Sequence, residues 1–512
     1  MEYLPTIGLE IHAELATASK MFCSCKNDPD EECSNTNVCP ICLGHPGTLP
    51  VLNREAIGKV LSIGVAVNGT PADFTEWDRK QYFYPDIPKG YQISQYAYPL
   101  VSGGALAGVE LERIHLEEDT AQSTHGQDVK GRTSGGDVSL IDFNRSGVPL
   151  MELVTKPVIH DAATAVQFAK ELQLLLRYLG AGEANMEKGE MRVEANVSVA
   201  AGGVSTANLG TKTEVKNLNS FRAVERAIEY EIDRQIKLLE KGEKVVQETR
   251  GWDDRKGVTF SQRSKESAHD YRYFPEPDIP KMMISEIPEF SHESLSKNLP
   301  ELPWDLRDRS KRDYGATDKE AEMFVEDRML ADYFEEIVKA GKGFKVDDKK
   351  FVRLALNYLL TDYLGALKKK NSVAVSGACQ SVAGDNDSAA KFSQQIPPKH
   401  WAELIGMIIN GELSSRGAKD TLAEMIEKST ESPRKIAETR GLLQQNDAEA
   451  LEKTVRTVLD ANKSVVEEFK AGKKASLQYL IGQVMKETRG SANPAAIPAV
   501  IEKLIYGGLT PI

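Results

Sequence analysis

The feature that most constrains the fold of this chain is a change of hydrophobic period part-way along it. Up to about residue 290, short runs place apolar side chains at every second position, the spacing of a half-buried strand. Leu9 and Ile11 face one way while Glu10, His12 and Glu14 face the other. In Arg192–Val199, Val193, Ala195, Val197 and Val199 share one face, and Arg192, Glu194, Asn196 and Ser198 share the opposite one. Between such runs, Ala162–Tyr178 and Phe221–Glu240 carry apolar residues at three- and four-residue steps, the second stopping before Gly242. Strands and helices mixed in this way predict an α+β domain.

Beyond that point the strand pattern fades. Six prolines between Pro275 and Pro303 interrupt regular structure, and we set the first boundary near 293. Helices are predicted over Asp318–Ala340 and Lys349–Lys370, then a linker over Asn371–Ser393. Further helices follow at His400–Asn410, Ser415–Lys428, Asp447–Asp460, Val465–Ala471, Leu477–Arg489 and Ala495–Tyr506. The expected domains are 1–293, 294–397 and 398–512, the last two all-helical. With 41% hydrophobic and 27% charged residues the composition is that of a globular protein. No apolar run approaches the roughly 18 residues of a membrane span, and no secretory leader opens the sequence, so we expect a cytoplasmic protein without a membrane partner. The formal charge is -12; residues 391–512 hold 17 Lys or Arg against 15 Asp or Glu, so the front is the acidic part. A nucleic-acid partner therefore needs a local basic patch.

Five of the six cysteines fall between positions 23 and 42, four of them in two close pairs, Cys23-x-Cys25 and Cys39-Pro40-Ile41-Cys42. Two close pairs of thiolates suit a tetrahedral zinc site, and a shell of four sulfurs is coordinatively full, hence structural. Cys33 and Cys379 are read as bystanders. We expect a zinc-binding insert over 20–45.

A second set of residues is acidic and scattered. It comprises Glu10 and His12, the run His115-Leu116-Glu117-Glu118-Asp119, Asp142, Glu152 and Glu194, each on a polar strand face or at a strand end. Brought together, hard oxygen ligands and one imidazole would suit Mg²⁺ beside a phosphate-bearing substrate. Two further segments, Gly210–Ser220 and Asp270–Asp278, mix cations, amides and rings, which suits phosphate and ribose contacts; on their residues alone a solvated strand edge and an ordinary turn account for them better. No G-x-x-x-x-G-K-[ST] string occurs, which excludes a P-loop.

The strings GLEIHAEL, LIDFNRSGVPLMEL, KNLNSF, DYRYFPEPD and GKKASLQYLIGQVMKETRGSANP together resemble the GatB/GatE family of tRNA-dependent amidotransferases over nearly the whole chain. The cysteine pairs occur in only some members. The resemblance implies a glutamine-synthetase-like α+β cradle of antiparallel sheets with helices, a helical domain and a YqeY-like helical tail. It implies a carbon–nitrogen ligase that uses ATP and Mg²⁺ to phosphorylate the side-chain carboxylate of Glu or Asp mischarged on tRNA(Gln) or tRNA(Asn). The acyl phosphate is then amidated by ammonia channelled from a glutaminase (amidase) partner, GatA, in a heterotrimer completed by a small third protein, GatC. The chain has no Ser-Ser-Lys amidase signature of its own.

By matching strings, Glu10, His12, Glu118 and Glu152 are implied as catalytic, metal-binding positions, with Glu117 and Glu194 beside them; the family often has aspartate at the last. Lys80 and Lys89 are implied to line the ammonia channel, a lysine beside a carboxylate such as Glu118 acting as gate or proton acceptor. In the tail, Lys470, Lys473, Lys474, Lys486 and Arg489 would meet tRNA phosphates. Two other readings stand beside this one: a non-catalytic, zinc-stapled tRNA-binding module, and a metallohydrolase, which the lack of a three-ligand zinc site opposes.

Overall fold

Alternation in the front of the chain resolves into one large, mostly antiparallel sheet, because each strand has a single apolar face to bury. The structure, a computed structural model, describes residues 3–125, 138–202, 209–264, 271–343, 347–375, 396–444, 448–488, 492 and 496–507. It divides into two units, 1–303 and 304–512.

In the first unit the chain runs through β1 (Tyr3–Glu14), α1 (Arg54–Ala66), β2 (Asp78–Gln81), β3 (Tyr91–Ser94), β4 (Val109–Glu118) and β5 (Pro149–Thr155). It continues through α2 (Ala162–Tyr178), β6 (Met191–Ala201), β7 (Thr213–Leu218), α3 (Phe221–Glu240), β8 (Glu248–Asp253) and β9 (Val258–Ser264). The ten-stranded sheet has the order β9-β8-β7-β6-β1-β5-β4, followed by the short strands Val101–Ser102 and Thr70–Pro71, with Ala105–Leu106 beside β4. Among the described residues only β7 and β8 pair in parallel. A smaller sheet joins Phe274–Pro275, β2 and β3.

Ile7, Leu9, Ile11 and Ala13 of β1 and Val193, Ala195 and Val197 of β6 are buried in the core. Asp161 and Ser220 cap α2 and α3 by accepting from Thr164 N–H and Ala223 N–H. The two helices pack on each other, and α3 lies along β6, where Gln235 Nε2 donates to Val197 O at 3.1 Å.

The second unit is helical among its described residues, so the α+β and all-α classes both hold. The helix expected over Asp318–Ala340 is two, Asp318–Glu326 and Arg328–Gly341, because the Asp327 side chain accepts from Leu330 N–H and starts the second. The stretch expected as Lys349–Lys370 runs from Asp348 to Val375 with a wider turn at Tyr358–Tyr363. Pro398–Ile409 packs on Arg328–Gly341. Near the end, Val455, Val458, Leu480, Val484, Ile497 and Ile501 form a small core of their own. Most of the expected linker, Cys379 included, lies outside the described residues. No described helix is long and apolar enough to cross a membrane.

Candidate active site

Strand register gathers the scattered acids. In β1, His12 stands opposite Glu152 of β5 on one side, and Glu10 opposite Glu194 of β6 on the other; Glu152 in turn faces His115 of β4. Side chains at every second position share a face, so Glu10, His12, His115, Glu117, Glu152 and Glu194 meet on the polar side of the sheet. His12 Nε2 lies 3.3 Å from Glu152 Oε2, 3.7 Å from Glu117 Oε1 and 3.9 Å from Glu10 Oε1. His115 Nε2 approaches the same Glu152 oxygen at 3.3 Å. These residues floor a cavity of about 390 Å³, whose far wall comes from Lys80 and Tyr82, from Gln92, Gln95 and Tyr96, and from Tyr271 and Tyr273.

Packed charge sets the protonation here. Burial and the neighbouring charges of Glu152 and Glu194 push Glu10 up to about 7. Burial works against charge on His12, but the hydrogen bond to Glu152 and the charges of Glu117 and Glu194 prevail and raise it to about 9. Burial likewise opposes ionisation of Glu152, yet His115 and His12 hold it well below the usual carboxylate range. Three overlapping ligand sets result: Glu10, His12 and Glu152; His115, Glu117 and Glu152; and Glu10, Glu194 and Glu214. Each offers mainly carboxylate oxygen, a donor set that fits a hard divalent cation.

Glu118 is not brought to this floor. Consecutive residues of an extended strand point to opposite sides, so Glu117 enters the acidic cavity and Glu118 leaves it. The Glu118 carboxylate instead meets Lys89 Nζ and accepts from Ile93 N–H at 3.0 Å. It lines a second cavity of about 200 Å³ with Lys89, Tyr91, Cys23, Cys42 and His45. The two channel candidates are thereby separated: Lys80 faces the acids, with its Nζ 5.2 Å from the Tyr271 ring centroid, and Lys89 faces Glu118. Asp142 lies in neither cavity; it ends the strand Ser139–Asp142 and accepts from the Asn35 and Asn144 N–H groups.

The four cysteines converge, with sulfurs all within 4.8 Å of one another. Cys39 N–H donates to Cys42 Sγ at 3.1 Å, and the sulfurs of Cys39 and Cys42 are 3.8 Å apart. The hydrogen bond from Cys23 brings Cys42 down to about 5, and burial raises Cys25 to about 11. Four thiols at this spacing fit zinc. Cys33 is exposed and lies outside the cluster. Gly44, with φ +65°, seats the cysteine loop on Lys89: a Cβ there would lie 2.5 Å from Lys89 Cγ.

Sequence reasoning missed the contribution of Gly210–Ser220 and Asp270–Asp278. Glu214 and Lys216 of β7 stand on the polar face, and Lys216 Nζ pairs with Glu194 Oε2 at 2.8 Å. Tyr271 and Tyr273 close the cavity from above. The Glu-Val-Lys spacing of two was the available signal for the first. For the second the signal was its mixture of rings and charges, which an ordinary turn also shows. Asp119, also in the cavity, is held by Arg192 and by Arg145 at 3.6 Å.

In the tail, Lys470 pairs with Glu467 at 3.1 Å and Lys473 with Glu468 at 2.9 Å. Lys474 opens the helix Lys474–Glu487 and Lys486 lies in its last turn, and twelve residues at 3.6 per turn set them about 120° apart around its axis. Arg489 lies outside the described residues.

Two family models match, the GatB/GatE catalytic domain over residues 5–288 and the GatB domain over 332–505. The chain belongs to the GatB family. Relatives named as the B subunit of aspartyl/glutamyl-tRNA(Asn/Gln) amidotransferase align along their full length. That of Moorella thermoacetica is 43% identical over 98% of this chain and all of its own. Those of Crocosphaera subtropica and Thermotoga maritima are each 40% identical over 99% of this chain, covering 98% and 100% of themselves.

Proposed function

We propose that the chain is the component of a tRNA-dependent amidotransferase that activates and amidates the side chain of Glu on tRNA(Gln), Asp on tRNA(Asn), or both. The observation that carries this reading is the convergence of Glu10, His12, Glu117 and Glu152 beneath a cavity edged by Lys80 and Lys216. A carboxylate resists ammonia because oxide is a poor leaving group. An oxygen of the substrate carboxylate attacks the γ-phosphorus of ATP, the bond to ADP breaks, and an acyl phosphate forms. Ammonia then attacks the carbonyl carbon, phosphate leaves with the C–O electrons, and the surplus proton passes to a base.

Glu10, His12, Glu117 and Glu152, with Glu194 alongside, are the residues that would hold Mg²⁺. Bound there, the ion would offset negative charge on the phosphoryl oxygens. Lys80 and Lys216 add fixed positive charge at the same cavity, favouring anionic substrates. The Lys89–Glu118 pair lies behind the same strand end and suits the ammonia side: Glu118 accepts the proton of an entering ammonium, and Lys89 holds the carboxylate in place. Glu118 is therefore assigned to ammonia entry, no longer to the cation.

We assign phosphoryl transfer to residues 1–293, tRNA contact to 398–512 through Lys473, Lys474, Lys486 and Arg489, and zinc to Cys23, Cys25, Cys39 and Cys42. The glutaminase GatA and the small GatC complete the assembly, and the cytoplasm, where thiols stay reduced, is the compartment we propose. A purely RNA-binding module gains nothing from carboxylates packed beside phosphates. The deciding experiment measures ATP cleavage by the reconstituted complex with and without Glu-tRNA(Gln) and Asp-tRNA(Asn). Cleavage stimulated by neither would overturn the reading.

A further inference from the structure

The reaction just proposed leaves one wall of the acidic cavity without a task. Tyr96 and Tyr273 stack face to face there, their centroids 4.4 Å apart and their planes 11° from parallel. Tyr271 meets Tyr273 edge-on at 6.0 Å and Tyr82 at 6.3 Å. Tyr96 is 61% exposed, although its backbone is rigidly held. Its N–H and that of Ala97 donate to Asp78 Oδ2 at 2.9 and 3.3 Å, and Asp78 is buried. The preceding Gln95 is fixed as well, Nε2 donating to Thr75 Oγ1 at 2.6 Å and Oε1 accepting from Leu116 N–H at 3.0 Å. A large ring is thus kept at one angle with one face on Tyr273 and the other open.

An apolar protein surface does not suit this place, because Lys80, Arg113, Arg192 and Lys216 line the same cavity. A flat ring tied to an anion does: the ring stacks while the charge reaches the cations and the sheet floor. Resting on the function proposed above, both substrates carry such a ring near the reacting group. ATP has its adenine, and the aminoacyl ester sits on the terminal adenosine of the tRNA.

We propose that the Tyr96–Tyr273 stack is a platform for an adenine ring, supplied by ATP or by the 3′-terminal adenosine of the aminoacyl-tRNA. The test uses the whole reconstituted complex with Tyr96→Leu and Tyr96→Trp, reading KM for ATP and KM for Glu-tRNA separately, with kcat and Tm beside them. Loss of one base stack raises KM about 5- to 150-fold. Tyr96→Leu is expected to raise one of the two by that factor with kcat little changed, and Tyr96→Trp to restore it. A rise for ATP alone identifies the nucleotide's adenine, and a rise for Glu-tRNA alone the terminal adenosine. Two unchanged KM values, or a Trp variant as impaired as the Leu variant, would overturn the platform. If the wild-type complex shows no tRNA-stimulated cleavage, the parent function fails on its own. Equilibrium dialysis of ATP and of adenosine against wild type and Tyr96→Leu then decides the platform separately, equal binding refuting it.

Discussion

Replacing Glu152 by Gln keeps the shape of the side chain and removes the charge at the centre of the acidic floor. Glu152 touches His12 and His115 at 3.3 Å each and Arg113 at 3.4 Å, with its side chain 7% exposed. Stripping one partner from a buried pair costs several kcal/mol in the limit. Here His12 keeps Glu117 and Glu10 within 4 Å, and relief of repulsion among the three carboxylates offsets part of the loss. We expect a net stability loss of about 1–3 kcal/mol, or a Tm lowered by about 2–5 °C for a unit of this size. In the metal-free chain the loss depends on pH. The imidazole of His12 is raised above its ordinary 6.5 to about 9, so its stabilisation is complete below about 6.5 and vanishes as pH climbs through about 9. Glu152 is depressed below 4.5, so its stabilisation is complete above that value and fades as pH falls further. The gap between wild type and variant should be widest between these limits. Catalysis should suffer more: losing one fixed charge at a phosphoryl-transfer site lowers the rate by about 10²–10³-fold. Phosphate release with Glu-tRNA, beside thermal unfolding across pH, measures both. A folded Glu152→Gln complex releasing phosphate as fast as wild type would refute the role of this floor.

Because an imidazolium cannot ligate a metal, and His12 holds its proton up to about 9, Mg²⁺ affinity should rise about tenfold per pH unit between about 7 and 9, and more steeply below 7 where Glu10 also gives up a proton; a flat calorimetric titration series between 7 and 9 would remove His12 from the ligand set. Glu118→Gln should spare tRNA-stimulated ATP cleavage while lowering glutamine-dependent amide formation, and equal loss of both would return Glu118 to the phosphoryl site. Metal analysis should find about one zinc per chain, falling on Cys25→Ser or Cys42→Ser with a lowered Tm, and a metal-free wild type prepared without chelator would argue against the thiolate site.

Much of the site was legible in strand parity. The alternation in GLEIHAEL placed Glu10 and His12 on one face before any partner was known, and that in RVEANVSV did the same for Glu194. The same rule could have separated Glu117 from Glu118, since neighbours in a strand cannot share a face. The helices over Ala162–Tyr178 and Phe221–Glu240 were bounded correctly because each has a cap residue and an apolar stripe. The break at Asp327 was not seen, because a capping aspartate inside a helical pattern resembles any polar surface residue. The Asp270–Asp278 segment stood out by its rings, but its pairing with Tyr96 could not be read, because Tyr96 and Tyr273 are far apart in sequence and neither sits in a periodic element.

By itself, then, the order of residues determined which side of each strand is polar, where helices start, and that four thiols lie close together along the chain. These are local consequences of backbone chirality, the pleat and short loop closure, and they need no distant partner. Which strands become neighbours is a different matter. Burying the apolar faces of β1, β5 and β6 against their helices selects one pairing out of many, and only that pairing sets His12 against Glu152 and Glu10 against Glu194. Tertiary packing alone also stood the tyrosines across from the carboxylates and left Glu118 with Lys89 in a chamber of its own.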